Sequence, residues 1–377
     1  MKIAFCLLNY FPFGGLQRDF LRIAKECVRR GHEVHVYTMR WDGPAEPDVH
    51  LHLLKVSGVT NHARARSFAR QAGKAVAGGD YALIVGFNKM PHLDLYYAAD
   101  VCYQARIQTE RSCWYRLLPR YHAYQALEAA VFAPAAKTEI LLISPAQQQA
   151  YAACYGTEAN RFHLLPPGIS RDRLAPENAA EMRAAQRREL KLDENDLMLL
   201  MVGSGYQTKG LDRAIAGLAA LPDALRQRCH LYVVGKGDAA PFLRQARLLG
   251  VDHHVHIIGA SSDVPSFLLA ADLLLHPSYH ENTGTALLEA LAAGLPVLTT
   301  AVCGYAHYIT DANAGQVLPA KFCQQTWNAN LENMLSFAEL KQLGQNGLTF
   351  AASADIYDMP QRAADLIEQR ARQRDLS

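Results

Sequence analysis

At 377 residues, 50% apolar and 20% charged, the chain is too long for one ordinary core and suits two folded domains of normal size. A net charge of +2 gives no global field toward nucleic acid, so any basic function must be local. The eight cysteines are scattered without a Cys-x-x-Cys and read as reduced thiols of a cytoplasmic protein. The histidines show no paired ligand spacing, so no metal centre is expected.

The N-terminal run Met1–Asn9 is apolar but too short for a secretory segment with a cleavage site. No run approaches the roughly 20 apolar residues that span a bilayer. Ile3–Leu8 predicts a strand, Leu16–Arg30 a helix ended by Gly31, and Glu33–Thr38 a second strand. Between the first strand and its helix lies Phe11-Pro12-Phe13-Gly14-Gly15-Leu16-Gln17-Arg18-Asp19. Paired glycines let a backbone approach a ligand, and a helix start presents free N–H groups to an anion. A plain β–α turn that needs glycine is the alternative. Asp19, one turn into the helix, would project toward the same mouth. The strand series continues through Tyr81–Gly86, Glu139–Ser144 and Arg161–Leu165, a β-then-α rhythm that implies a mostly parallel sheet covered on both faces.

Pro166-Pro167-Gly168 breaks the pattern with a stiff bend, after which the rhythm restarts. A charged helix near Ala180–Leu190 precedes strand Leu197–Val202 and helix Leu211–Ala220. Then come Leu231–Gly235, Phe242–Leu249, His254–Ile258, Val264–Ala270, Leu273–His276, Thr285–Ala293 and Pro296–Thr300. The expected architecture is α/β, with two doubly wound domains over residues 1–167 and 168–355 facing a cleft. A final helix within 356–377 would cap the second domain or cross back to the first.

Two motifs of the second half carry chemistry. Val202-Gly203-Ser204-Gly205-Tyr206-Gln207-Thr208-Lys209-Gly210 follows a strand and places Lys209 to neutralise a diphosphate, although Gly210 departs from a P-loop, which has Ser or Thr there. His280-Glu281-Asn282-Thr283-Gly284-Thr285 lies beyond the strand ending at His276 and opens a helix that carries Glu289. Ionised carboxylates accept only, so Glu281 and Glu289 beside an anion-binding helix start suit a phosphorylated, hydroxyl-rich ligand. Gly235-Lys236-Gly237-Asp238-Ala239-Ala240 imitates a dinucleotide fingerprint, but the next strand ends in Gly259-Ala260-Ser261 without the required acid. No Asp-x-Asp occurs, so charge on a leaving diphosphate would fall to Lys209, arginines and helix-start amides.

With these motifs in place, the chain resembles the retaining glycosyltransferases of the GT-B fold, family 4. The first loop, Gly86-Phe87-Asn88-Lys89-Met90-Pro91 and Val302-Cys303-Gly304-Tyr305-Ala306-His307-Tyr308-Ile309 resemble the branch that adds glucose to the inner-core heptose of lipopolysaccharide. The resemblance implies a UDP-glucose donor, retention and no metal or other cofactor. It assigns Glu289 to the ribose, Lys209 and Arg173 to the diphosphate, and Glu281 with Asn282, Thr283, Gly284 and Thr285 to the hexose. Gly14 and Gly15 form the loop whose amide meets the distal phosphate. Asp19 and Asp100 are implied on the acceptor and sugar side, Asp100 standing where relatives often carry histidine. Thr208 and Ser261 replace basic residues of some relatives, which leaves another UDP-hexose, such as a UDP-amino sugar, open as donor. A GT-B sugar-nucleotide epimerase and a catalytically silent binding protein are the rival readings.

A lipid-linked acceptor implies a peripheral protein on the cytoplasmic face of the bacterial inner membrane. Trp114, Tyr121 and Tyr124, near Arg106, Arg111, Arg116 and Arg120, are expected on one helical stripe suited to an anionic surface, with Pro119 splitting the segment. Packing of that stripe on its own domain is the alternative. His62, Arg66, Arg70 and Lys74 form a second basic row at i,i+4 spacing.

Overall fold

The computed structural model describes residues 1–12, 14–335 and 337–375; Phe13 of the first loop, Ser336 and the last two positions of the C-terminal segment lie outside them. The chain divides into two compact units, Met1–Gly168 with Tyr357–Ser377, and Ile169–Ile356.

The main sheet of the first unit holds seven strands: β1 (Lys2–Cys6), β2 (Glu33–Thr38), β3 (Val49–Leu53), β4 (Leu83–Gly86), β5 (Leu95–Ala98), β6 (Glu139–Leu142) and β7 (Phe162–Leu164). Their order is β3-β2-β1-β4-β5-β6-β7, and every pairing is parallel. Alternation along β1 explains why both faces are covered. Ile3 and Phe5 enter one buried cluster with Phe20, Phe87 and Tyr97. Ala4 and Cys6 enter the other, with Phe68, Tyr96, Phe132 and Tyr151. The helix Met359–Asp375 belongs to this unit. Its stripe of Met359, Ala363, Ile367 and Ala371 repeats every four residues and packs into the Phe5 cluster. Arg30 reaches Asp365 at 2.7 Å and fixes the same helix from its polar side.

The second unit holds β8 (Leu197–Val202), β9 (Cys229–Val234), β10 (Val255–Gly259), β11 (Leu273–His276), β12 (Val297–Thr300) and β13 (Gly315–Leu318). The order β10-β9-β8-β11-β12-β13 repeats the 3-2-1-4-5-6 winding of dinucleotide-binding folds, again all parallel. Order reverses beside β8, so the loops after β8 and β11 flank a switch point where such sheets bind ligands. Three strands of the two main sheets escape the sequence pattern. β3 reads Val-His-Leu-His-Leu, with histidine interrupting the apolar alternation, while β5 and β13 are four-residue strands.

Candidate active site

Glycines shape the loop after β8. Gly203, Gly205 and Gly210 have φ of +146°, +80° and +76°, a region that other residues adopt only with strain. At Gly210 a β-carbon would also lie 2.1 Å from the carbonyl oxygen of Pro277, so the start of the next helix rests directly on the loop after β11. Three further contacts bind those loops. The Tyr279 amide donates to the Thr208 carbonyl at 2.8 Å, and the Arg213 guanidinium donates to the Pro277 carbonyl at 3.0 Å. That guanidinium also lies over the Tyr279 ring, 3.4 Å from its centroid. Gly235 and Gly237, the false dinucleotide motif, have a packing role: β-carbons there would strike the Gly203 carbonyl at 2.2 Å and the Tyr206 ring at 2.5 Å.

This welding brings the two chemistry-bearing motifs together. The Lys209 ammonium donates to Glu281 Oε2, and His276 Nε2 stands 3.3 Å from the same oxygen. His276 closes β11 and is only 1% exposed, with Cys303 against it. Burial alone would raise the Glu281 carboxyl. The hydrogen bond from His276 and the charge of Lys209 outweigh it and bring the pKa from 4.5 down to about 2. His276 moves the other way. Burial opposes its charge, but contact with Cys303 and Glu281 overcomes that and raises it from 6.5 to about 9. Glu281 is therefore an ionised acceptor throughout the neutral range, unable to donate a proton.

Gly284, at φ +88°, turns the chain into the helix Thr285–Ala293, whose opening N–H groups lack intrahelical acceptors. The Tyr305 amide donates to the Thr283 carbonyl at 2.8 Å, and Glu281 pairs with Cys303 in an isolated parallel bridge. Those two contacts hold the Glu281–Thr285 turn from behind. Glu289, 6% exposed on that helix, lies 3.6 Å from the Nε of Arg173. The four ionic residues expected at a donor site thus stand as two pairs, Lys209–Glu281 and Arg173–Glu289. The sequence reading missed His276, Cys303 and Arg213. A histidine ending an otherwise aliphatic strand was the available signal for the first.

In the first unit, Gly14 starts the helix Gly15–Arg29. A β-carbon on Gly14 would strike the Gln17 amide at 1.9 Å, whereas one on Gly15 would meet nothing within 4 Å. A side chain at Gly14 would thus have to displace those of Gln17 and Phe11, while one at Gly15 would displace nothing. Asp19 accepts from the Tyr97 hydroxyl at 2.8 Å, while Asp100 is exposed just beyond β5, its carbonyl accepting from Tyr151 at 3.0 Å.

The basic-aromatic segment departs from the expected single stripe. Tyr103–Glu110 and Pro119–Phe132 are helices, but Trp114 lies in a 3-10 turn, Cys113–Leu117, and Leu118 is extended. The break removes the helical phase between Trp114 and Tyr121. Tyr121 consequently turns inward, 8% exposed, and donates to the Gln104 side chain at 2.9 Å, so it is no surface residue. Tyr124 is half-buried, edge-on to Tyr103 with centroids 5.6 Å apart. Trp114, Leu117 and Leu118 are 74%, 69% and 46% exposed. Arg106, Arg111, Arg116 and Arg120 are exposed, and three of them, without Arg116, line a hollow of about 390 Å³ with Glu110. Glu128, wholly buried, anchors the segment: it pairs with Lys89 at 2.5 Å and accepts from the amides of Tyr103 and Gln104. Among the described residues no helix is long and apolar enough to cross a membrane.

Comparison with known proteins agrees with this geometry. Residues 13–173 match the family model Glycosyltransferase Family 4, and residues 182–349 match Glycosyl transferases group 1. The chain is 44% identical over 368 residues to the lipopolysaccharide glucosyltransferase WaaG of Escherichia coli (strain K12), covering 97% of this chain and 98% of that protein. A crystal structure of WaaG, a glycosyltransferase involved in lipopolysaccharide biosynthesis, superposes with a TM-score of 0.93 at 43% identity, covering 97% of this chain and 99% of that one. The crystal structure of Anabaena Alr3699/HepE in complex with UDP-glucose shares the fold, at a TM-score of 0.74 and 17% identity over 98% of this chain and 100% of that one. Two parallel doubly wound units, both family models and near full-length similarity converge: the chain belongs to the family 4 glycosyltransferases and has their GT-B fold.

Proposed function

We propose that this transferase moves glucose from UDP-glucose to the inner-core heptose of lipopolysaccharide, with retention and without a metal. The observation that carries the reading is 44% identity across 97% of the chain to a protein named as a lipopolysaccharide glucosyltransferase. The ligand roles follow from the family resemblance and suit the site's chemistry. Lys209 and Arg173 exchange their carboxylate partners for the diphosphate, and the freed Glu281 and Glu289 accept from hexose and ribose hydroxyls. Gly15, whose missing side chain the fold does not require, lends its amide to the distal phosphate. The bond from hexose C1 to the phosphate oxygen breaks, the acceptor oxygen bonds C1 on the same face, and its proton passes to the departing phosphate. Asp19 and Asp100 are assigned to positioning on the acceptor and sugar side.

Near full-length similarity to a protein named as a glucosyltransferase favours transfer over the epimerase reading. The exposed Trp114, Leu117 and Leu118 beside four exposed arginines support docking on the anionic inner-membrane surface where a lipid-linked acceptor would be met. Assaying UDP release from UDP-glucose, UDP-galactose and UDP-N-acetylglucosamine, with and without heptosylated core, tests the proposal. Release should depend on the acceptor and be fastest with UDP-glucose. Release indifferent to acceptor, or interconversion of the sugar nucleotide alone, would refute it.

A further inference from the structure

Strands β2 and β3 are paired so that His35 lies opposite His50 and Tyr37 opposite His52. Because side chains alternate across a strand, Glu33, His35, His50 and His52 share one face at the edge of the first sheet. Glu33, His35 and His50 lie toward the amino ends of these strands, away from the Gly14–Asp19 loop, and His52 follows them along β3. Read linearly, the sequence predicts no paired ligand spacing among the histidines. The spacing is present as Glu33-x-His35 and His50-x-His52, and the strand pairing that joins the two is what the sequence does not display.

One ligand atom from each of Glu33, His35 and His50 lies within 4.8 Å of the other two. Glu33 Oε1 is 2.7 Å from His35 Nε2 and 3.9 Å from His50 Nε2. Around a tetrahedral zinc ion with bonds of about 2.0–2.1 Å, donor atoms stand about 3.4 Å apart. The two separations from Glu33 straddle that value and the third lies within 4.8 Å, so adjustments of up to about 1.5 Å would complete the triangle. The ring of His35 is already oriented. It is 7% exposed, stacked on His50 with centroids 4.6 Å apart, and its Nδ1 lies 2.9 Å from His52 Nε2. A hydrogen bond from the second ring nitrogen commonly fixes a metal-binding histidine in this way. Glu33 and His50 are exposed, leaving room for water at a fourth position. Lys2, register partner of Glu33, keeps its ammonium over the Tyr81 ring at 5.2 Å from the centroid.

We infer that Glu33, His35 and His50 form a binding site for one divalent transition-metal ion of the zinc class, with His52 as the residue that positions His35. Two imidazoles and a carboxylate suit zinc, nickel or copper and disfavour magnesium or calcium, which seek all-oxygen shells. Bound metal would clamp edge strand β3 onto β2. The site is separate from the Lys209–Glu281 pair, which lies in the other unit, and the inference does not depend on the transferase reading.

The test is zinc(II) titration of the tag-free full chain after chelator stripping, by calorimetry and by competition with a chromogenic chelator. One zinc per chain should bind, and cobalt(II) should give the intense visible bands of tetrahedral coordination. His50→Ala and Glu33→Gln, both at exposed positions, should weaken zinc binding about tenfold or more, and His52→Ala should weaken it about 10- to 100-fold. His230→Ala tests the second histidine group, where His230 Nδ1 lies 3.3 Å from His256 Nε2, and should leave the affinity unchanged. Glucosyl transfer by His50→Ala should match that of the unsubstituted chain. The inference is overturned if the native chain takes up no more zinc than His50→Ala, or if His230→Ala abolishes the binding instead.

Discussion

Lys209 and Glu281 were legible in the sequence because each stands in a glycine-punctuated loop directly after an apolar strand. What the sequence hid was their mutual pairing and the third partner, His276, since that contact needs β8 and β11 to be neighbours. Loss of one charge-assisted contact costs about 1.5–3 kcal/mol, so Lys209→Ala and Glu281→Ala should each reduce turnover at least about tenfold to hundredfold. Steady-state rates on folded variants check this, and near-normal turnover in either would overturn the site. His276 makes a separate prediction. Its folded pKa of about 9 lies above the ordinary 6.5, so its contribution to stability is complete below pH 6.5 and is lost as pH rises through 9. Glu281, depressed to about 2, contributes above its ordinary 4.5 and loses that contribution only in strong acid. Denaturant midpoints from pH 6 to pH 10 should therefore decline less steeply for His276→Gln than for the unsubstituted chain. Parallel curves would show that His276 is not charged in the folded protein.

At the scale of elements, long apolar strands and their helices read clearly: β2, β8 and β11 and the helices Val264–Ala270 and Thr285–Ala293 match their expected ranges residue for residue. Tertiary pairing decides the rest. Histidines at alternate positions concealed β3, and the aromatics over 114–124 were expected on one helical stripe. Pro119 was recognised as a break, but its consequence, an inward Tyr121 and an exposed Leu117–Leu118 pair, depends on how the two pieces pack. The membrane proposal now rests on Trp114, Leu117, Leu118 and the arginines. Arg116→Glu with Arg120→Glu should markedly reduce cosedimentation with anionic vesicles, and raised salt should do the same to the native chain. Substituting Trp114 and Leu117 with serine should weaken the salt-insensitive part. Unchanged vesicle binding in both double variants would remove this surface from the account.

For the molecule as a whole, two units each wind their sheet in the same order, and the helix Met359–Asp375 returns to pack on the first. The two doubly wound units were readable from the repeated β–α rhythm and from the Pro166-Pro167-Gly168 bend, where two prolines and a glycine end the strand pattern, whereas the sequence left the placement of the final helix open. The choice of sugar was not readable from composition or spacing, since hydroxyl acceptors such as Glu281 and Glu289 serve many hexoses. Only full-length similarity narrows it. The most direct measurement is the mass of heptosylated lipopolysaccharide core after incubation with the protein and UDP-glucose, in the presence of EDTA. The account predicts a gain of one hexose per acceptor, undiminished by the chelator and lost in Lys209→Ala. An acceptor of unchanged mass after active protein has bound UDP-glucose would contradict it.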